Sequence, residues 1–278
     1  MVEPATEMRG IIHGLEELAY HSDEALSSTQ VKWLLDCPAR YRYNLDHPQP
    51  HKPAFDLGSA VHAKVLGTGW GIEELNFDDY RSKDAREARD AAYAAGLIPM
   101  LTKELVTVRE MAESVLSNPD AAKILEGGSS EVSVFATDPE TGIDMRCRFD
   151  RLRDDHAWAA DLKTMAGHAT VAGFSKAVAD YKYDVSHAHY LDTFELVTGE
   201  RPPMLFIAVE KEPPFFAAVF RLSNDEIEMG LVEARAARAK LRACREVDLW
   251  PGRGSGIQIT QAPMRRIYDF TDRYGVAS

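Results

Sequence analysis

Apolar positions along the chain follow two periods, and the switch between them marks the elements. A helical period comes first. Val31, Leu34 and Leu35 share one face of a helix that Ser27 or Ser28 can cap and that runs to Leu35. Pro38 redirects the chain, and residues 46–53, with His47, Pro48, Pro50, His51 and Pro53, form a loop whose histidines are solvated. Ala54–Leu66 is a helix on which Gly58, His62 and Leu66, four apart, share a face. Asp79–Ala95 is charged and alanine-rich, an exposed helix. Thr102–Leu116 carries Leu105, Val108, Met111, Ala112 and Val115 at helical spacing and stops at Asn118-Pro119. After Gly127-Gly128 the period falls to two. Glu131–Thr137 alternates as a strand, and Met145–Arg153, Asp154-Asp155 and His156–Lys163 read as strand, turn and strand of a hairpin. A helix from about Phe174 and another over Tyr183–Val197, ended by Gly199 and Pro202, restore the helical period. Two strands, Met204–Glu210 and Phe215–Arg221, flank Glu212-Pro213-Pro214, and Asn224–Arg245 is a long helix with Ile227, Leu231, Ala234, Arg238 and Leu241 on one stripe. Helix, three strands, helix, strand, strand is the order of an α/β core, a mixed sheet with helices on its faces.

Composition narrows the class. With 278 residues, 45% hydrophobic and 27% charged, the chain has ample material for one large domain, with or without a small appendage. Met1–Gly10 carries acids and no apolar core, so no signal peptide is expected, and no apolar run approaches membrane-spanning length. Cys37, Cys147 and Cys244 are few, odd in number and far apart, the pattern of reduced thiols in a cytosolic protein rather than of disulfides, zinc or an iron–sulfur cluster. The net charge of −12 speaks against a DNA-coating protein. It leaves room for an enzyme that meets DNA through a local basic lining. Arg40, Arg42, Lys64, Arg146, Arg148, Arg151 and Arg153 are the candidates, although each taken singly is more simply a solvated surface residue.

The hairpin carries the candidate chemistry. Side chains alternate along a strand, so Ala157, Ala159, Asp161 and Lys163 share one face, and Arg146, Arg148 and Asp150 share a face of the preceding strand. If the hairpin sets Asp150 beside Asp161, two carboxylates and a lysine converge. Adjacent carboxylates repel unless a cation sits between them, and Mg²⁺ suits such an oxygen-rich site. A lysine alongside can reach a water or a phosphoryl oxygen, which is the apparatus of metal-assisted phosphodiester hydrolysis. Asp-x-Lys alone is common, and a solvated surface pair explains it as well.

Five blocks in order make the pattern specific. Asp150 with Asp161-Leu162-Lys163-Thr164 resembles the core of the PD-(D/E)XK nuclease superfamily. Gly58-Ser59-Ala60-Val61-His62 resembles the Gly-x-x-x-His helix of its exonuclease branch, and Ser27-Ser28-Thr29-Gln30 with Cys37-Pro38-Ala39-Arg40-Tyr41 resembles that branch's N-terminal segment. Tyr183–Asp192 and Phe206–Pro214 look like its later blocks. Together the blocks resemble the RecE-type (exonuclease VIII-like) exonucleases of phages and prophages.

The resemblance implies a PD-(D/E)XK core over residues 25–252, with a polar segment at 1–24 and a tail at 253–278. It implies a Mg²⁺ site, which Mn²⁺ can share, held by His62, Asp150, Asp161 and the Leu162 carbonyl, with Lys163 orienting or activating the attacking water. Glu131, at the start of its strand, is either solvated or the acid that the family often carries there. Where the family has Gln-x-x-x-Tyr, this sequence has Ser186 and Tyr190, with His187 or His189 as possible substitutes for the glutamine in a supporting or DNA-contacting role. The implied activity is processive 5′→3′ digestion of linear double-stranded DNA by a cytoplasmic, phage- or prophage-encoded enzyme. Its implied assembly is a toroidal homo-oligomer, trimer or tetramer, acting with a RecT-type single-strand annealing protein. An endonuclease or single-strand exonuclease of the superfamily, or an inactive DNA-binding or assembly subunit, are the alternatives.

Overall fold

The computed structural model describes residues 9–47, 56–69, 71–254 and 256–275. Its centre is a six-stranded sheet in the order β1-β4-β5-β6-β7-β8. These strands are β1 (Gly10–Ile12), β4 (Ser129–Thr137), β5 (Asp144–Leu152), β6 (Ala159–Met165), β7 (Met204–Glu210) and β8 (Ala217–Phe220). All neighbours are antiparallel except β6 and β7, which run parallel from Ala159↔Met204 to Met165↔Glu210. A parallel pair needs a crossover. It is supplied by α8 (Val171–Tyr181) and α9 (Tyr183–Thr198), joined through Lys182 in the left-handed conformation. A separate two-stranded parallel sheet joins β2 (Ile72–Leu75) to β3 (Ile98–Leu101).

Alternation along the strands feeds two cores. Cys147, Phe149, Ala159, Phe206 and Ala208 face α8 and α9, packing on Phe174, Val178, Leu191 and Phe194. Ala160, Leu162, Ile207 and Val209 face the other way, towards Ala60 and Val61 of α4 (Asp56–Leu66) and Leu105, Val108 and Met111 of α6 (Thr102–Ser117). A further layer lies beyond α9. There α2 (Ser28–Asp36), α3 (Pro38–Asp46) and α10 (Asn224–Val247) bury Val31, Leu34, Tyr41, Ala234 and Leu241. Ser27 and Gln30 close a reciprocal capping box at the start of α2, and Ser223 with Glu226 repeats the device on α10.

The structure adds to several expectations. Within the polar segment, residues 10–22 form two elements. β1 pairs with β4, and α1 (Glu17–Ser22) lies over the sheet and buries Tyr20. Pro38 does not only redirect the chain; it occupies the first turn of α3, where its missing N–H costs nothing. Asn118 stops α6 and also caps α7 (Pro119–Leu125). The start of the expected helix at Ala54 and the loop histidine His51 lie outside the described residues, while the His47 ring stacks on Tyr43 at 4.2 Å. In the tail, α11 (Met264–Tyr274) buries no residue. No helix among the described residues is long and apolar enough to cross a membrane.

Candidate metal centre

The site lies where the hairpin comes apart. β5 and β6 pair only at Arg151↔Ala160 and Leu152↔Ala159. Beyond Ala160 the strands diverge, and the Leu162 N–H that would continue the ladder donates instead to Asp150 Oδ2 at 2.6 Å. The carboxylate therefore stands in for a missing strand bond and is anchored in the gap. On the opposite side of β5, Glu131 falls between the pairs Ser130↔Arg151 and Val132↔Phe149, across from Asp150. Its φ of 53° is in the left-handed region, which glutamate seldom adopts. Such a conformation stores strain and belongs with sites where a side chain must be aimed. Here it brings the Glu131 carboxylate towards Asp150.

α4 supplies the third wall. Gly58 approaches β6 closely enough that a Cβ there would meet Thr164 Oγ1 at 3.4 Å. One turn later His62 Nε2 lies 2.7 Å from the Leu162 carbonyl. A carbonyl can only accept, so Nε2 carries the proton and donates. His62 Nδ1 then faces Asp150 Oδ2 at 3.5 Å. In the neutral ring this sets a lone pair against a carboxylate, and a proton or a metal cation between them removes the conflict. His62, Glu131 and Asp150 each offer a ligand atom within 4.8 Å of the others.

Electrostatics agrees with this geometry. Burial, then the Asp150 and Glu17 carboxylates, push Glu131 up to about 8, against a weaker opposing pull from Arg148. Burial also raises Asp150, with Asp161 adding to it and His62 opposing. Burial and like charge outweigh the cations near these carboxylates, and a hard divalent cation bound by oxygen and imidazole donors is the group that fits. Asp161 stands outside that trio. It is buried, and Lys163 Nζ sits 2.5 Å from its Oδ2. Burial alone would lower the Lys163 pKa, but Asp161 and Asp150 outweigh it and keep the side chain an ammonium. Lys163 is thus placed to orient a water or hold a phosphoryl oxygen. The Leu162 carbonyl, expected as a backbone ligand, is the acceptor for His62.

The remaining expected residues divide. Tyr190 is close by, its ring edge-on to Phe149 at 5.4 Å. Ser186 turns back to its own helix, 3.5 Å from the Lys182 carbonyl. His187 and His189 are buried and do not replace the missing glutamine at the site: His187 packs on Phe206, and His189 Nε2 meets the Arg146 carbonyl at 3.0 Å. Arg146 and Arg148 are not solvated and line no DNA surface. Both are buried. Arg146 donates to the carbonyls of Tyr20, Asp23 and His21; Arg148 donates to Ser133, to the Leu15 carbonyl and to Glu17. Among the other lining candidates, Arg40, Arg42 and Arg153 pair with Asp36, Asp46 and Asp155, and Arg151 donates to the Gly127 carbonyl and Ser130. Lys64 is exposed. Two neighbours of the site carry no signal in the sequence: Glu17, in a segment that reads as polar, and Lys32, between the apolar positions of α2.

Comparison with known proteins follows the same line. A family model described as a PDDEXK-like domain of unknown function (DUF3799) matches residues 27–263. The chain belongs to this PDDEXK-like family. The family region takes in α4, the divergent hairpin and the α8–α9 crossover, and it ends just before α11. The crystal structure of a putative exonuclease from Eubacterium rectale superposes with a TM-score of 0.63 over 91% of this chain and 97% of that one, at 15% identity, a likeness of fold. A second solved structure, SSO0001, aligns over 68% of this chain and 86% of its own at 13% identity, but its TM-score of 0.29 carries no argument. No curated protein matches the chain. The family thus fixes the PD-(D/E)XK architecture and supports the nuclease class.

Proposed function

We propose that this chain is a Mg²⁺-dependent deoxyribonuclease that digests linear double-stranded DNA from its ends in the 5′→3′ direction. The observation that carries the reading is the convergence of His62, Glu131 and Asp150 within 4.8 Å, beside the Asp161–Lys163 pair, in a PDDEXK-like domain. When bound, a divalent cation supplies charge compensation at a phosphoryl oxygen and makes a nearby water more acidic. His62, Glu131 and Asp150 would hold it, with Asp161 completing the set. The protein's own part is positional. Asp150 is fixed by the Leu162 N–H, and His62 by the Leu162 carbonyl. Asp161 keeps the Lys163 ammonium in place to stabilise the charge that grows on the phosphoryl group during attack.

In this reading Mn²⁺ can replace Mg²⁺. The enzyme works in the cytoplasm of a bacterial host as a phage or prophage product, assembled as a toroidal trimer or tetramer that keeps DNA threaded, and it hands single strands to a RecT-type annealing protein. The test uses duplex labelled separately at its 5′ and 3′ ends, alongside closed circles, in Mg²⁺ and in EDTA. Early release of the 5′ label from linear DNA, with circles intact and EDTA silent, is expected. Cleavage of circles would make it an endonuclease. Binding without hydrolysis in Mg²⁺ or Mn²⁺ would make it an inactive DNA-binding subunit.

A further inference from the structure

We propose that Lys32 is a phosphate-binding residue of this site, holding an oxygen of the DNA backbone next to the phosphate engaged by Lys163. The inference rests on the nuclease reading and adds a residue to it. Lys32 belongs to α2, whose Val31 and Leu34 are fixed in the layer against Val185 and Ala188 of α9. One residue from Val31, its side chain leaves that layer and lies over the Tyr183 ring, Nζ 5.8 Å from the centroid. Lys163 Nζ is 5.2 Å from the centroid of the same ring. Tyr183 is itself held by stacking on Phe206 at 6.1 Å and by Phe174 at 6.1 Å. A single immobilised ring thus carries two ammonium groups, one of them the lysine of the Asp-x-Lys motif.

The two cations differ in their partners. Lys163 has Asp161. Lys83, Lys176 and Lys182, on other surfaces, have Glu87, Asp180 and Glu233. Lys32 is half-buried, and among the described residues it makes no ion pair and no hydrogen bond. A partly desolvated ammonium without an anion is unfavourable, so the fold carries a cost that an incoming anion would relieve. Burial, then repulsion from Lys163, bring its pKa down to about 8, with Asp161 and Asp184 pulling the other way. The anion that arrives beside Lys163 in a nuclease is a phosphodiester, and lysine meets phosphate as a point charge.

The experiment compares the full-length chain with Lys32→Met and Lys32→Arg. Duplex affinity is measured in Ca²⁺ across a salt series, and initial rates are measured in Mg²⁺. Lys32→Met should flatten the slope of log affinity against log salt by about one unit. It should also lower kcat/KM about tenfold, chiefly through KM. Lys32→Arg should restore both, which a purely structural role would not produce. The melting temperature of Lys32→Met should not fall, since the change removes an unpaired cation. Lys32→Gln makes the same comparison if the methionine variant aggregates. An unchanged slope with unchanged kcat/KM overturns the proposal, and so does an arginine variant no better than methionine. A wild type that binds but does not cut refutes the nuclease reading and leaves the slope test standing; one that neither binds nor cuts overturns both.

Discussion

Under α10, the Arg238 guanidinium places Nε 2.8 Å from Asp138 and Nη2 2.7 Å from Asp192, and Arg201 meets the other Asp192 oxygen at 2.9 Å. Beside α4, Glu131, Asp150 and Asp161 converge, with Lys163 paired to Asp161 and Arg148 3.9 Å from Glu131. Both clusters bury carboxylates, yet the carboxylates respond in opposite ways. Burial opposes ionisation of Asp138, but the Glu140 N–H, Thr141 and Arg238 outweigh it and hold its carboxyl below the usual range. At the hairpin, burial and like charge lift both Glu131 and Asp150. The first cluster brings its countercharge with it and serves to tie α9 and α10 to the β4–β5 connection. The second leaves its excess negative charge for something outside the chain to balance. Buried charge that is balanced is architecture; buried charge left in excess marks a binding site.

The comparison breaks most readily at Asp150. Asp150→Asn keeps an oxygen to accept the Leu162 N–H but removes one negative charge. Hydrolysis in Mg²⁺ should fall by about a thousandfold or more, since a catalytic cation contributes several kcal/mol. The melting temperature in EDTA should hold or rise, because repulsion is relieved. Retained activity would remove Asp150 from the site. The mirror experiment is Arg238→Leu, which leaves buried Asp138 without a cation and Asp192 with Arg201 as its close partner. It should cost about 3–5 kcal/mol and lower the melting temperature by about 10 °C, while the folded fraction keeps its specific activity. A stable Arg238→Leu protein would mean that the two clusters are not built on different principles.

Much of this contrast is visible along the chain, and the part that is not has a physical reason. The period-two runs place β4, β5 and β6 and assign Asp150, Asp161 and Lys163 to the end of a hairpin. The Gly-x-x-x-His spacing puts His62 against it. These are local properties, set by the pleat and the helical repeat. The role of Arg146 and Arg148 is not local. Alternation with Met145, Cys147 and Phe149 says that they leave the main core, and solvent is then the simplest expectation. The three residues of β1 and the six of α1, too short to show a period, cover that face instead and place Tyr20 under both guanidinium groups, 5.0 Å and 4.1 Å from the ring. The aim of Glu131 depends on one left-handed residue, and a glutamate, unlike glycine or asparagine, does not announce that in advance. Lys32 is hidden for the same reason as the arginines: a lysine between apolar helix positions looks solvated until its neighbours are in place.

A smaller effect sharpens the electrostatic half of the comparison. Glu131 ionises near 4.5 when unfolded and near 8 in the folded chain, so the folded state holds the extra proton between those values. Stability is therefore greatest at the acidic end of this window and is lost as pH rises through it. In EDTA, unfolding free energy should drop on the order of 2 kcal/mol between about pH 5 and pH 8. Mg²⁺ should reduce the drop, since the cation takes the proton's place, and Glu131→Gln should shrink it to the part that Asp150 contributes. A flat profile in EDTA for the wild type would mean that Glu131 is not part of a charge-excess site.

The smallest effect concerns the arginine that reads as a DNA contact and folds as an anchor. Arg146 is 4% exposed and donates to three backbone carbonyls in and just after α1. Its removal leaves those acceptors without a donor, a loss of about 1–3 kcal/mol for hydrogen bonds to a charged group. The damage should stay local, because Arg148 still ties the same segment through the Leu15 carbonyl and Glu17. Arg146→Met fills the volume without the charge. It should lower the melting temperature by a few degrees and speed hydrogen exchange in β1 and α1 ahead of the rest of the sheet. Duplex affinity in Ca²⁺ should keep the wild-type salt slope, since no phosphate contact is lost. Protection of the β4 and β5 amides, held by their long antiparallel ladder, should not change. A shallower salt slope with normal exchange in α1 would return Arg146 to the DNA surface and leave the N-terminal segment without its main anchor.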